Sequence, residues 1–121
     1  MKSLKFSGKP RNKPKLLIIR RVHGDSMLPT LKPGRIVIGS SYYNLLRLGD
    51  VVMVRHGGLE KVKRIHLISK DHLFLVGDNE NHSTDSRSFG WLHVSVVVAK
   101  VLWPRVRRTG RSHSATEGPR E

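Results

Sequence analysis

The sequence predicts a mainly β fold, a small and strongly bent sheet or partial barrel with one or two short helical turns. Three observations point that way. The longest unbroken apolar runs are strand-sized: LLII at 16–19, VVMV at 51–54 and VVVA at 96–99. Turn-forming clusters separate such runs at short intervals, which favours many short strands over a layered α/β design. With 121 residues, 37% of them hydrophobic, the chain can close one modest core and hardly two.

A first strand is expected near 16–22, where LLIIRRV runs into the Gly- and Pro-bounded stretch HGDSMLPTLKPG. Within that stretch a helical turn is expected at 26–31. The turn KPG at 32–34 opens a second strand near 35–39, and GD at 49–50 opens a third near 50–55. HGG at 56–58 reverses the chain into a strand near 59–68, and SKD at 69–71 reverses it again into 72–76. GDN at 77–79 begins a polar loop, a second helical turn is expected near 93–97, and the last strand runs near 96–103.

Charge is concentrated at the ends. Of a formal net charge of +14, residues 1–15 supply six basic residues with no acid, and residues 105–121 supply five Arg against two Glu. Both ends hold too few apolar residues to offset the entropy of ordering them, so they read as flexible basic tails around a domain at 16–104. Their charge suits nucleic acid or an anionic membrane, although purely solubilising tails have the same composition. The absence of Cys excludes disulfides, thiolate metal sites and a cysteine nucleophile. No run approaches the roughly 20 apolar residues of a membrane span, and residues 1–15 lack the apolar centre of a secretory signal. The chain is therefore expected to be cytoplasmic, at most peripheral to a membrane.

Three stretches carry chemistry. Ser26 sits in GDSMLPTL, a loop placed directly after an apolar strand. A serine hydroxyl becomes a useful nucleophile only when a base removes its proton. Seven His are present but scattered, with no GxSxG elbow for a Ser/His/Asp triad and no HxxxH or HExxH pair for a metal. Lysine is the other available base. In LEKVKRIHL at 59–67, alternation places Leu59, Lys61, Lys63, Ile65 and Leu67 on one face, opposite Glu60, Val62, Arg64 and His66. Lys63 is then in phase with inward-pointing apolar side chains, where desolvation disfavours the ammonium and leaves an amine able to act as general base. A lysine that snorkels to its strand edge fits the same pattern. The loop GDNENHSTDSRSFG at 77–90 offers a Ser to orient that amine, with an Asp and an Arg two apart to stiffen the loop, and reads equally as an ordinary polar loop.

Taken together, GDSMLPTL at 24–31, VKRI at 62–65 and GDNENHSTDSRSFG at 77–90 resemble, in order, the three sequence blocks of the type I signal peptidase (S26) family of serine proteases, over roughly residues 20–103. The resemblance implies a bent sheet of the signal peptidase and LexA-like type. It implies Ser26 as nucleophile, Lys63 as general base and Ser83 as the residue that hydrogen-bonds and orients the Lys63 amine. Asp85 and Arg87 would support the loop, and Pro29 would fix the turn after the nucleophile. The Ser26 backbone N–H would donate to the oxyanion, and Gly24, where some members carry a serine, would leave that hole to backbone and water. Met27, Leu31 and Val62 would line a shallow pocket for a small substrate side chain. No cofactor and no metal are implied.

Typical signal peptidases carry one or two membrane helices, and many have a long insertion between the second and third blocks; here residues 64–76 alone separate Lys63 from the third block. That shortness, with STDSRSFG followed by VVVAKVLWP, is similar to the small S26 relatives that act as nickel-type superoxide dismutase maturation proteases. The resemblance then implies a monomeric serine endopeptidase that removes a short N-terminal extension or signal-like peptide from a precursor polypeptide. It implies no specific nucleic-acid partner, with basic tails able to touch an anionic membrane. Three further readings stay open: membrane-associated signal peptidase activity on secretory precursors; a self-cleaving LexA-type (S24) regulator, disfavoured because no obvious Ala-Gly or Cys-Gly site or DNA-binding helical domain precedes Ser26; and a basic nucleic-acid or membrane-binding protein with an inactive protease core.

Overall fold

The computed structural model describes residues 3–5, 16–79 and 90–108. Its strands are β1 (Ser3–Lys5), β2 (Leu17–Arg21), β3 (Ile36–Ser40), β4 (Leu45–Arg47), β5 (Val51–His56), β6 (Leu59–Ser69), β7 (His72–Val76), β8 (Leu92–His93) and β9 (Val97–Trp103). The strands expected from the apolar runs are β2, β3, β5, β6, β7 and β9. The short β1, β4 and β8 were not expected, because two or three residues carry no readable alternation. A 3-10 turn at Val94–Val96 answers to the second expected helical turn. Residues 26–31 form consecutive turns rather than a helix, with one helix-like bond from Leu31 N–H to the Met27 carbonyl at 2.9 Å.

One seven-stranded sheet runs in the order β2-β3-β9-β5-β6-β7-β8, and β1 pairs separately with β4. Every pairing is antiparallel. The run VVMV explains the centre of the sheet: Val52 and Val54 of β5 join one core cluster with Ile65, Leu73 and Leu75, while Val51 and Met53 join another with Val22, Val37 and Ala99. A strand covered on both faces has no polar side to show, so its sequence does not alternate. The sheet also curls. Arg20 of β2 donates from Nε to Glu60 of β6 at 2.6 Å, although β3, β9 and β5 lie between these strands in the sheet order. A bulge in the β3–β9 pairing after Ile38 assists the bend, and Gly39 there is tightly enclosed: a Cβ would meet Ala99, Met53 and the Lys100 carbonyl at 3.0–3.1 Å.

A second bulge, between Ile65 and Leu67, corrects the simple alternation expected for β6. One inserted residue moves the following side chains to the other face. Ile68 is therefore buried and Leu67 is 43% exposed.

Both stretches read as tails contribute structure. Leu4 pairs with Leu46 in the β1–β4 ladder, so Ser3–Lys5 are strand. Beyond β9, Val106 packs against the core cluster of Met27 and Leu31, and Arg108 Nε donates to Asp50 at 2.8 Å. Gly49, with φ 89°, makes that docking possible, since a Cβ there would overlap the Arg108 carbonyl. The described residues thus extend past the expected boundary at 104 to residue 108, and the remainder of both tails lies outside them.

Candidate active site

A cavity of about 430 Å³ opens between the end of β2 and the first half of β6. Residues 20–26 form one wall, Glu60–Lys63 form the other, and Met53 lies between them. Ser26 and Lys63 therefore line one cleft. Lys63 is 3% exposed and stands opposite Val52 in the β5–β6 ladder, whereas Ser26 is half-buried in its loop. Gly24, also in the wall, holds φ at 73°, a backbone conformation that few side-chain-bearing residues adopt.

Two kinds of contact hold the serine loop. From inside, Met27 and Leu31 are buried in the core with Val22, Val37 and Met53. From outside, the GDN segment grips the loop: Asn79 N–H donates to the Ser26 carbonyl at 2.8 Å and Asn79 Nδ2 donates to the Asp25 carbonyl at 2.9 Å. Thr30 Oγ1 donates to Asp78 in a short hydrogen bond. Asp78 in turn accepts two parallel bonds from Arg64, at 2.8 Å from Nε and 2.7 Å from Nη2. Arg64 Nη1 donates to the carbonyls of Gly49 at 2.8 Å and Arg107 at 2.7 Å. A bidentate arginine–carboxylate pair fixes orientation as well as distance, so β6, the loop and the C-terminal segment are set against one another.

Of the residues expected to form the substrate pocket, Val62 lines the cleft and Met27 and Leu31 do not. Both are buried, 1% and 2% exposed, in the core cluster that includes Val37 and Val51. Pro29 faces a different cavity. Ser83, Asp85 and Arg87 lie outside the described residues. Arg64, Asp78 and Asn79 were missed as site residues. The signal was present, an Arg directly after Lys63 and an Asp-Asn pair opening the third block, but alternation alone assigns Arg64 to the surface. Among the described residues, no group of three or more His, Asp or Glu could hold a metal ion.

Residues 2–98 match a family described as Peptidase S24-like. The chain belongs to the Peptidase S24-like family. Two curated relatives come from Arabidopsis thaliana. The mitochondrial ATP-independent inner membrane protease subunit 1a is 35% identical over 115 residues, covering 69% of this chain and 68% of the relative. Subunit 1b is 27% identical over 110 residues, covering 67% of this chain and 65% of the relative. The S24-like chain thus spans about two thirds of each relative's length. Family and relatives agree on a peptidase of the signal-peptidase type. No helix among the described residues of this peptidase is long and apolar enough to cross a membrane.

Proposed function

We propose that the chain is a serine endopeptidase in which Ser26 is the nucleophile and Lys63 the general base, removing a short N-terminal extension from a precursor polypeptide. The observation that carries this reading is that Ser26 and a nearly buried Lys63, from separate sequence blocks, line the same cleft. Lys63 Nζ takes the Ser26 hydroxyl proton as Oγ attacks the scissile carbonyl carbon, and the resulting oxyanion accepts from the Ser26 backbone N–H. The protonated amine then gives its proton to the departing amino group. In the second half, water attacks the acyl-enzyme with the same amine as base. Ser83 orients that amine, while Asp85 and Arg87 hold its loop.

The ladder registers support an extended substrate. Among the described residues, β2 ends the sheet order and its ladder joins β3 alone. That outer edge of β2 borders the cleft, and a peptide strand can hydrogen-bond there while its side chains fall toward Val62. The resemblance of STDSRSFG and VVVAKVLWP to small maturation proteases favours a nickel superoxide dismutase precursor, met in the cytoplasm by a monomeric enzyme. The relatives' names favour a second reading, trimming of precursors at a membrane surface.

Intact-mass analysis of such a precursor, incubated with wild type and with Ser26→Ala, tests the proposal. Loss of a short N-terminal segment with wild type alone supports both chemistry and substrate. Cleavage only when a signal-peptide substrate is supplied in liposomes moves the substrate to the second reading. Equal cleavage by Ser26→Ala overturns the serine mechanism.

A further inference from the structure

A second cavity, of about 540 Å³, shares no lining residue with the cleft. It lies between the serine loop, at Pro29 and Thr30, and the C-terminal segment that follows β9. Five cations line it, Lys32, Arg35, Arg64, Arg105 and Arg107, with no acid among the lining residues. Arg64 is already committed, its guanidinium bound to Asp78 and to two carbonyls. The other four are exposed, and no described carboxylate forms an ion pair with them.

These four charges are held near one another by backbone. Lys32 and Arg35 flank one turn, closed by Arg35 N–H donating to the Lys32 carbonyl at 3.0 Å. That turn is fastened to Val22 by two further bonds of 2.8 Å, from Gly34 N–H and to the Arg35 carbonyl. The Arg35 guanidinium lies over the Trp103 ring, 5.1 Å from its centroid, which limits its freedom to swing away. Arg105 and Arg107 flank Val106, which packs against the core, and the Arg107 carbonyl is fixed by Arg64. Like charges confined in one cavity repel, and an anion seated among them relieves that cost while gaining charge-assisted hydrogen bonds.

We propose that this cavity binds a phosphate group. A phosphate carries up to two charges and several acceptor oxygens, so it can take bonds from guanidinium groups on both walls at once, which a single carboxylate does less well. The group can belong to a soluble phosphate or to the headgroup of an anionic phospholipid. Its occupancy ties the C-terminal segment to the serine loop, reinforcing the Arg107–Arg64–Asp78–Thr30 chain of contacts. The proposal does not rest on the peptidase mechanism.

The test is an amide-shift titration of the full chain with inorganic phosphate, beside sedimentation with phosphatidylglycerol/phosphatidylcholine vesicles. Wild type is compared with Lys32→Gln/Arg35→Gln and with a control of equal charge change, Arg55→Gln/Lys70→Gln. The expected result is saturable binding to at least one probe, about tenfold or more weaker in the cavity variant and within about twofold of wild type in the control, given roughly fivefold per phosphate-facing cation. With phosphate, the shifts should centre on Thr30–Arg35 and Arg105–Arg108. Saturation by inorganic phosphate assigns a soluble ligand, and the same variant dependence seen only on vesicles assigns a headgroup. Equal weakening in both variants, or no saturable response to either probe, overturns the proposal.

Discussion

Replacing Asp78 by Ala isolates the contact on which the site's assembly depends. Its carboxylate takes two parallel bonds from Arg64 and one from Thr30, and the paired side chains are only 9% and 12% exposed. Removing it leaves a nearly buried guanidinium facing two carbonyls and no counter-charge, a change that costs about 3–5 kcal/mol. The Thr30 bond accounts for about 1 kcal/mol of this, so Thr30→Val should show roughly that loss alone. Domain stabilities of about 5–15 kcal/mol leave the Asp78→Ala protein folded but with a much lower urea midpoint. Cleavage should fall further than stability explains: with the outer face of the loop at 25–30 gripped by Asn79 without Asp78, kcat should drop about 10- to 100-fold with KM less affected. Urea unfolding and peptide-cleavage kinetics on wild type, Thr30→Val and Asp78→Ala measure both effects. An Asp78→Ala protein within about 1 kcal/mol of wild type and with unchanged kcat would refute the reasoning.

Lys63→Met should reduce cleavage about 100- to 10,000-fold, whereas Lys61→Ala and His23→Ala, which alter the same cleft walls, should each cost less than about tenfold; the reverse ranking in steady-state kinetics would transfer the base role. Burial pushes the Tyr43 phenol up from 10.0 to about 12. Below pH 10 the phenol is protonated in both states and adds no pH dependence; between pH 10 and about 12 the unfolded chain ionises first, so stability falls as pH rises, by on the order of 3 kcal/mol across that window. Urea midpoints at pH 9 and 11 should show the slope in wild type and lose it in Tyr43→Phe. Gly49→Ala should lift the C-terminal segment, costing about 2 kcal/mol or more through both the positive φ and the overlap with Arg108, and limited trypsin digestion after Arg105 and Arg107 should accelerate.

Much of the fold was legible because burial writes itself into long strands. VVMV, HLFLV and VVVAKVLW are apolar where the sheet is covered, and the turns between them carry Gly, Asp or Pro. A link between Ser26 and Lys63, which line one cleft, was suggested only by the three blocks taken together, since neither residue is unusual in its own segment. What stayed hidden was set by geometry that has no local signature. Leu67 and Ile68 exchanged places because of one bulge. Met27 reads like a pocket residue beside a nucleophile, and its burial in a cluster with Val37 has no signature in its own segment. Arg64 reads like a surface arginine in an alternating strand, and its importance depends on Asp78 and on a C-terminal carbonyl far along the chain.

The position of β9 has a consequence for the order in which this molecule can assemble. In the sheet it lies between β3 and β5, so β2-β3 on one side and β5-β6-β7-β8 on the other have no ladder joining them until it inserts. Each half is built from neighbouring antiparallel strands and can form early from local contacts, whereas the joining step closes long loops and is slow by comparison. The serine loop follows β2 and Lys63 sits on β6, one in each half. A growing or partly folded chain therefore has the two groups in separate halves, and they come to line one cleft when the last strand zips the halves together.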